Sequence, residues 1–243
     1  MIKEKDMIEI EFTAKTKDDN LVFDTTNEKI AKENNLDTKN NQFKPITVIL
    51  GQNQLVKGLE DDMIGKEINK DYVVEIVPEN GFGKKSAKLI KLIPTKVFYK
   101  QKINPVPGLQ VNIDNSVGIV KTVTGGRTLV DFNHPLSSKD LIYEYKIIKI
   151  ITDITEKAKK YVQNVLGIPC DVTFLDNKLT LKVNFPLNKE IKDKISENIK
   201  EVISEIKEVD FVENQEKKTN KTIKNDSKAE IKEQKLLKEN KNN

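Results

Sequence analysis

Ile8, Ile10, Phe12 and Ala14 alternate with other positions along the chain, which predicts a strand with one buried face. Asp18-Asp19-Asn20 then turns the chain, and Leu21-Val22-Phe23 begins a returning strand. Residues 27–44 are polar around a short Ile30-Ala31 centre, and Ile46 to Leu50 reads as a strand stopped by Gly51. Leu55, Val56, Leu59 and Met63 fall on one helical face that Gly65 closes, so the spacing predicts a short helix over residues 56–64. Tyr72, Val74 and Ile76 alternate again as far as Pro78. Between 85 and 133 the texture changes. Pro94, Pro105, Pro107 and Gly108 precede or punctuate three short apolar runs, Leu109 to Ile113, Val117 to Val123 and Thr128 to Phe132, with Gly125-Gly126 as the hairpin turn between the last two. A long strand, Leu141 to Ile151, follows this small β module.

At Asp153 the period lengthens to that of a helix. Asp153 and Glu156 form a capping-box pattern, and Ile154, Ala158, Tyr161, Val162 and Val165 line one face until Gly167 and Pro169. Val172 to Leu175, the Asp176-Asn177 turn and Leu179 to Phe185 make a second hairpin. Asn188 then caps a helix striped by Ile191, Ile195, Ile199, Val202 and Ile206, and Val209 to Val212 is a last strand. The αββαβ order sets residues 153–213 apart as a small α/β domain. Residues 214–243 have no aromatics and four branched aliphatics, too little burial to offset ordering, so a disordered tail is expected there.

Composition removes most function classes. Among 243 residues there are 41 lysines and one arginine, Arg127; residues 214–243 hold nine lysines against five acidic residues, and the remaining chain is balanced, with 33 of each sign. A neutral body with a basic tail argues against a nucleic-acid partner. No apolar run approaches the roughly 18 residues of a membrane span, and Met1 to Asp6 lacks the apolar stretch of a signal peptide, so a cytoplasmic protein without a membrane partner is expected. One cysteine, Cys170, allows no internal disulfide and no CxxC motif. One histidine, His134, leaves no HExxH motif and no close His/Cys cluster, so neither a metal site nor a cofactor is expected. Asn133-His134-Pro135 reads as a structural turn, and Cys170 as a small buried hydrophobe.

Two stretches carry a resemblance. The first is Phe12 through Asp24 with Val22-Phe23-Asp24-Thr25-Thr26, then Leu50-Gly51, Leu55-Val56-Lys57-Gly58-Leu59-Glu60, Gly65 and Pro78-Glu79-Asn80-Gly81-Phe82-Gly83. In order and spacing it resembles the FKBP-type peptidyl-prolyl cis-trans isomerases. The second, Val130 to Leu136 before Leu141-Ile142-Tyr143-Glu144-Tyr145, looks like the end of the flap insert in SlyD-like members; with the αββαβ extension, the chain is most similar to long-chain archaeal FKBP-type isomerases.

The resemblance implies an α+β fold: an FKBP-type antiparallel sheet wrapped on a short helix, a small β domain inserted in the flap, and a C-terminal αββαβ domain. The implied domains are 1–84 with 134–152 for isomerisation, 85–133 as an inserted chaperone domain, 153–213 as an accessory domain and 214–243 as a tail. The implied activity is isomerisation of X-Pro bonds in unfolded or partly folded proteins, with chaperone action from the insert; the alternative is a holdase chaperone whose isomerase site is weak. By similarity the pocket is lined by Phe12, Phe23, Ile46, Leu55 and Leu59 as substrate-binding residues and by Asp24, Val56, Phe82 and Tyr143 as catalytic ones, with Leu59 as floor and the Val56 N–H holding a substrate carbonyl. Any one of these apolar residues alone reads as ordinary core packing, and Asp24 alone as a turn residue before Thr25-Thr26. The family's usual tyrosines are replaced by Phe12 and Phe82, its frequent tryptophan floor by Leu59 and an aromatic wall by Ile46, which implies modest activity on short peptides. Some SlyD relatives bind nickel through His- and Cys-rich tails; this tail has neither residue type. So small a three-stranded domain buries little by itself, which leaves two readings open for residues 153–213: a homodimer through them, or docking against the isomerase domain of the same chain.

Overall fold

The computed structural model describes residues 1–38, 43–168 and 170–213. The expectations for the 214–243 tail and for Pro169 as a helix stop lie outside the described residues. The chain divides into two compact units that part between Lys157 and Ala158.

The first unit contains, in order, β1 (Met7–Thr16), β2 (Val22–Thr25), α1 (Glu28–Glu33), β3 (Ile46–Ile49), α2 (Lys57–Met63), β4 (Asp71–Ile76), β5 (Ile90–Pro94), α3 (Thr95–Lys100), β6 (Gln110–Ile113), β7 (Ser116–Thr124), β8 (Arg127–Asp131) and β9 (Leu141–Ile150). Its first sheet runs β2-β1-β9-β4, with β3 also paired to β1 and every pairing antiparallel. Alternation decides which face is buried. Ile8, Ile10, Phe12 and Ala14 of β1 and Leu141, Tyr143, Tyr145 and Ile147 of β9 point inward, while Glu11 and Glu144 face solvent. Helix α2 lies against the inward face with Leu59 and Met63 fully buried; burying a side chain of this size contributes about 1.5–3 kcal/mol. The helix comes this close because residue 58 is glycine, where a Cβ would stand 2.7 Å from Ile76 Cγ2.

The second sheet of this unit, β5-β8-β7-β6, is antiparallel throughout and packs Val111, Val120 and Val130 around Phe98. Gly125 and Gly126 make its β7–β8 turn with φ of +55° and +72°, which glycine adopts without strain. Two elements here differ from the sequence reading. Strand β5 and helix α3 occupy a stretch that shows no clear period, and α3 forms because Phe98 is drawn into the core, 1% exposed, while Thr95 meets Thr128 in a buried hydroxyl pair at 3.1 Å.

Helix α4 (Ile154–Lys160) starts where expected, with Asp153 Oδ1 accepting from the Glu156 N–H at 2.7 Å. It is shorter than its apolar period: at Tyr161 the helix widens into a π turn, Tyr161–Val165, closed by the Leu166 N–H on the Tyr161 carbonyl. The second unit continues with β10 (Cys170–Leu175), β11 (Lys178–Val183), α5 (Lys189–Val202) and β12 (Glu208–Glu213). β10 and β11 pair antiparallel across Asp176 and Asn177, both left-handed, and β12 lies parallel to β11 after the α5 crossover. Asn188 caps α5 by accepting from the Ile191 N–H at 2.8 Å, and Leu179, Leu181, Val183, Ile195 and Ile199 are buried. Among the described residues no helix is long and apolar enough to cross a membrane.

Candidate functional site

Strand register assembles the site. Ala14 of β1 is paired with Asp24 of β2 on one side and with Tyr143 of β9 on the other, and Tyr143 in turn with Val74 of β4. The four residues therefore form one row across the sheet, and the fully buried Ala14 in the middle leaves room above it between Asp24 and Tyr143. Asp24 is held in the row by its neighbours. Thr25 and Thr26 are buried: Thr26 donates its N–H to the Phe12 carbonyl at 2.9 Å and accepts the Phe12 N–H on its hydroxyl at 2.9 Å, while the Thr25 hydroxyl pairs with that of Thr13 at 2.8 Å.

Aromatic rings wall this row. Phe12 lies 5.9 Å from Tyr143, and Phe23 makes edge-on contacts with Tyr143 at 6.1 Å and with Phe82 at 6.2 Å between ring centres. Ile46, Leu55, Val56 and Leu59 pack in the same apolar cluster. The structure thus brings all eight apolar and aromatic residues named from the sequence together, with Asp24 at the exposed rim. Burial beside this wall raises the Asp24 carboxyl above its ordinary pKa against a smaller opposing effect of the Thr25 N–H. Burial likewise raises the Tyr143 phenol, and the negative charge of Asp24 adds to it.

Val56 enters the cluster at the N-cap of α2 without a side-chain cap, and among the described residues its own N–H has no acceptor. Its position depends on a residue that the sequence reading passed over. Glu60, 6% exposed, turns back from α2 so that its two carboxylate oxygens accept the N–H groups of Gly51 and Leu55, each at 3.0 Å, which fixes the loop leading to Val56. Sequence gives a partial signal for it, an acidic residue in the first turn of a helix, but not its burial.

The wall at Phe82 has a second unanticipated member. The His134 ring stacks on Phe82, centres 4.5 Å apart and planes 8° from parallel, while its Nδ1 accepts the Leu136 N–H at 3.3 Å. The segments carrying these two rings are joined by polar side chains. Ser137 donates to the Phe82 carbonyl at 3.2 Å, Ser138 accepts the Lys85 N–H at 2.8 Å, and Asn133 both accepts the Ser86 N–H and donates to the Ser86 carbonyl. Asp131, buried at the centre of this junction, accepts from the Asn133 side chain and N–H and from Lys85 Nζ at 3.0 Å. Burial alone would raise its carboxyl, but these bonds outweigh it and hold the pKa at about 2. A further concavity of about 720 Å³ along the first sheet mixes charged residues, among them Glu11, Lys29, Asp71 and Lys146, with Phe12, Phe43, Tyr72 and Tyr145.

Comparison with known proteins gives a consistent set of relatives. A family model described as FKBP-type peptidyl-prolyl cis-trans isomerase matches residues 1–99, and one described as FKBP26, IF domain, matches residues 91–136. The chain is similar to a short-type peptidyl-prolyl cis-trans isomerase of Methanocaldococcus jannaschii, with 31% identity over 147 residues covering 60% of this chain and 92% of that protein. It is 30% identical over 123 residues to a probable FKBP-type 16 kDa peptidyl-prolyl cis-trans isomerase of Pseudomonas fluorescens, covering 48% of this chain and 81% of that one. With the FKBP-type isomerase SlyD of Haemophilus influenzae it shares 28% identity over 110 residues, 43% of this chain and 57% of that protein.

Proposed function

The chain belongs to the FKBP-type peptidyl-prolyl cis-trans isomerases, and from that membership we propose that the row Asp24–Ala14–Tyr143 beneath Phe12, Phe23 and Phe82 is where an X-Pro bond is rotated. The observation that carries this reading is the convergence of four aromatic rings and one carboxylate on a helix N-cap whose N–H has no acceptor among the described residues.

Rotation about X-Pro crosses a barrier of about 18–20 kcal/mol set by amide resonance, and the twisted transition state has lost that conjugation. No covalent bond breaks. An apolar enclosure that fits the twisted amide better than the planar one lowers the barrier by differential binding, about tenfold for each 1.36 kcal/mol. In this reading Leu59 is the floor, Ile46 and Leu55 flank the proline ring, and the Val56 N–H holds the carbonyl of the bound segment. Asp24 places a carboxylate where the polarity of the amide changes as it twists. Tyr143 supplies the only phenolic hydroxyl of the four rings, beside Asp24, while Phe12 and Phe82 contribute shape alone.

The remaining assignments extend the same proposal: a cytosolic folding helper in which residues 1–84 and 134–152 catalyse, residues 85–133 hold extended apolar segments of unfolded chains, and residues 153–213 pair two copies. Exposed apolar side chains, Leu92 of β5 at 53% and Tyr99 of α3 at 59%, favour a client-holding role for residues 85–133. They also favour the second reading, a holdase with a weak isomerase. Peptide isomerisation by the full chain beside Asp24→Ala and Phe82→Ala separates the two. Loss of about tenfold or more in kcat/KM is expected of each variant under conditions where it is folded; activity equal to the parent chain overturns the site assignment. An inert parent chain that still suppresses aggregation selects the holdase.

A further inference from the structure

The balanced charge of residues 1–213 conceals a segregation. Residues 85–133 contain seven lysines and Arg127 against only Asp114 and Asp131, a net charge of +6, whereas residues 1–84 with 134–152 carry a net charge of −4. The two parts also differ in how their charges are used. Around the first sheet most lysines are matched, as in Lys15–Glu144, Lys66–Asp62 and Lys146–Asp71. Of the eight cations between 85 and 133, only Lys85 has a carboxylate partner among the described residues, Asp131 at 3.0 Å. All eight are exposed.

Their density is greatest along one margin. Residues 88–102 hold five lysines and no acidic residue, and they form the edge strand β5 and the helix α3. Among the described residues strand β5 pairs only with β8, which leaves one side of its backbone without a strand partner there. Ile90 and Leu92 on that strand and Tyr99 on α3 are exposed between the lysines, at 38%, 53% and 59%. Lys96, Tyr99 and Arg127 also line an open concavity of about 610 Å³, together with Pro94 and Val123. An edge strand gives main-chain hydrogen bonds to an added extended segment, and the flanking side chains select it. Here the exposed side chains include Ile90, Lys91 and Leu92 of β5 and Lys96, Tyr99 and Lys100 of α3, apolar and cationic together.

We infer that the β5–α3 margin binds extended segments of unfolded protein that are apolar and acidic, so that the charge of the segment, as well as its apolar content, decides what this chain captures. The inference rests on the reading that residues 85–133 hold clients and names the class of client. A polypeptide fits better than a nucleic acid: the edge offers backbone partners for a strand, one exposed aromatic is available for stacking, and a single arginine is present for bidentate phosphate contacts. Lys91 also lies over the Phe132 ring, 5.5 Å from its centre. Surface cations without a carboxylate partner act over a Debye length, about 30 Å at 0.01 M salt and about 10 Å at 0.1 M, so capture is steered before contact is made.

The test uses the full chain and two fluorescent peptides with the same apolar positions, one flanked by Asp and Glu and the other by Lys, in anisotropy titrations at those two salt concentrations. The acidic peptide is expected to bind about tenfold more tightly at low salt, with the gap narrowing at the higher concentration. The triple variant Lys91→Glu, Lys96→Glu, Lys100→Glu should reverse the preference while isomerisation of a short uncharged peptide stays unchanged. Equal affinity for the two peptides overturns the charge selection and leaves the client-holding role standing; failure of both to bind overturns both. A preference that survives the triple reversal, or displacement of the acidic peptide by a lower concentration of single-stranded oligonucleotide, also overturns it.

Discussion

Removing the Glu60 carboxylate should cost both stability and catalysis, in a ratio that the structure sets. Glu60 is buried and accepts two N–H groups at 3.0 Å, from Gly51 and Leu55. A hydrogen bond to a charged acceptor contributes roughly 1.5–3 kcal/mol net, so two would give about 3–6 kcal/mol. Gly51 is exposed and Leu55 half-buried, so water reaches the abandoned donors and recovers part of this. Glu60→Ala should therefore destabilise by about 2–3 kcal/mol, within the margin of about 5–15 kcal/mol of a typical domain. Glu60→Gln keeps one acceptor but turns an amide NH2 toward the other N–H, and should cost about 1–2 kcal/mol. Because the released loop carries Val56, a shift of about 1 Å in that N–H is enough to lower kcat/KM by up to about a hundredfold. Urea unfolding of the full chain gives the stabilities, and peptide isomerisation under conditions where each variant is folded gives the rates. A Glu60→Ala chain within about 0.5 kcal/mol of the parent would refute the buried-carboxylate argument, and the expected destabilisation with kcat/KM intact would refute the link from the loop to the site.

Asp131, whose carboxyl is held at about 2 instead of 3.8, contributes stability that is complete above pH 4 and is lost as pH falls through about 2. After discounting for the half-exposed Lys85 partner this amounts to about 1–2 kcal/mol, and Asp131→Asn should flatten acid unfolding in that window; identical pH profiles would contradict it. At Gly118 an added Cβ would meet Val130 Cγ1 at 2.7 Å and the Phe132 ring at 2.8 Å, so Gly118→Ala should destabilise by about 1–3 kcal/mol in denaturant titration, against the near-neutral effect expected if the second sheet yields. Sedimentation at micromolar concentration should show a dimer for the full chain and a monomer for a chain ending at Thr152; a monomeric full chain removes residues 153–213 as a self-association surface.

What was legible in the sequence follows from where the determining interactions lie. The period-two runs of β1 and β9 and the apolar face of α2 are local patterns, and each predicts the element the structure contains. The nine named site residues were reachable only through motif order, since individually each reads as core or turn. Helix α3 escaped because six residues headed by Pro94 and containing Val97 and Phe98 have little intrinsic helical period; the burial of Phe98 within its own β sheet decides their conformation. Glu60 escaped because a charged residue on a short helix ordinarily faces water, and nothing local announces two backbone donors arriving from the preceding loop. The stack of His134 on Phe82 joins positions on either side of the second sheet, so no local period contains it. The charge segregation was present in the sequence, but a whole-chain balance averages it away.

The pairing of β1 with β9 has a consequence for the order of synthesis. Ile8 meets Ile150 and Ala14 meets Tyr143, so the central strand pair of the isomerase sheet joins the beginning of the unit to its end. At roughly 5–20 residues per second, β9 leaves the ribosome on the order of ten seconds after β1. During that interval the strip Ile8, Ile10, Phe12 and Ala14 has no β9 to cover it, and closing so long a loop makes the pairing slow to form. The second sheet, complete at Asp131, spans at most the separation of Ile90 from Asp131, far less than that of Ile8 from Ile150, and can form first. A protein whose Asp24–Ala14–Tyr143 row is assembled last thus passes through the same unfinished condition as the chains on which its family acts, with its own β5–α3 margin already folded beside it.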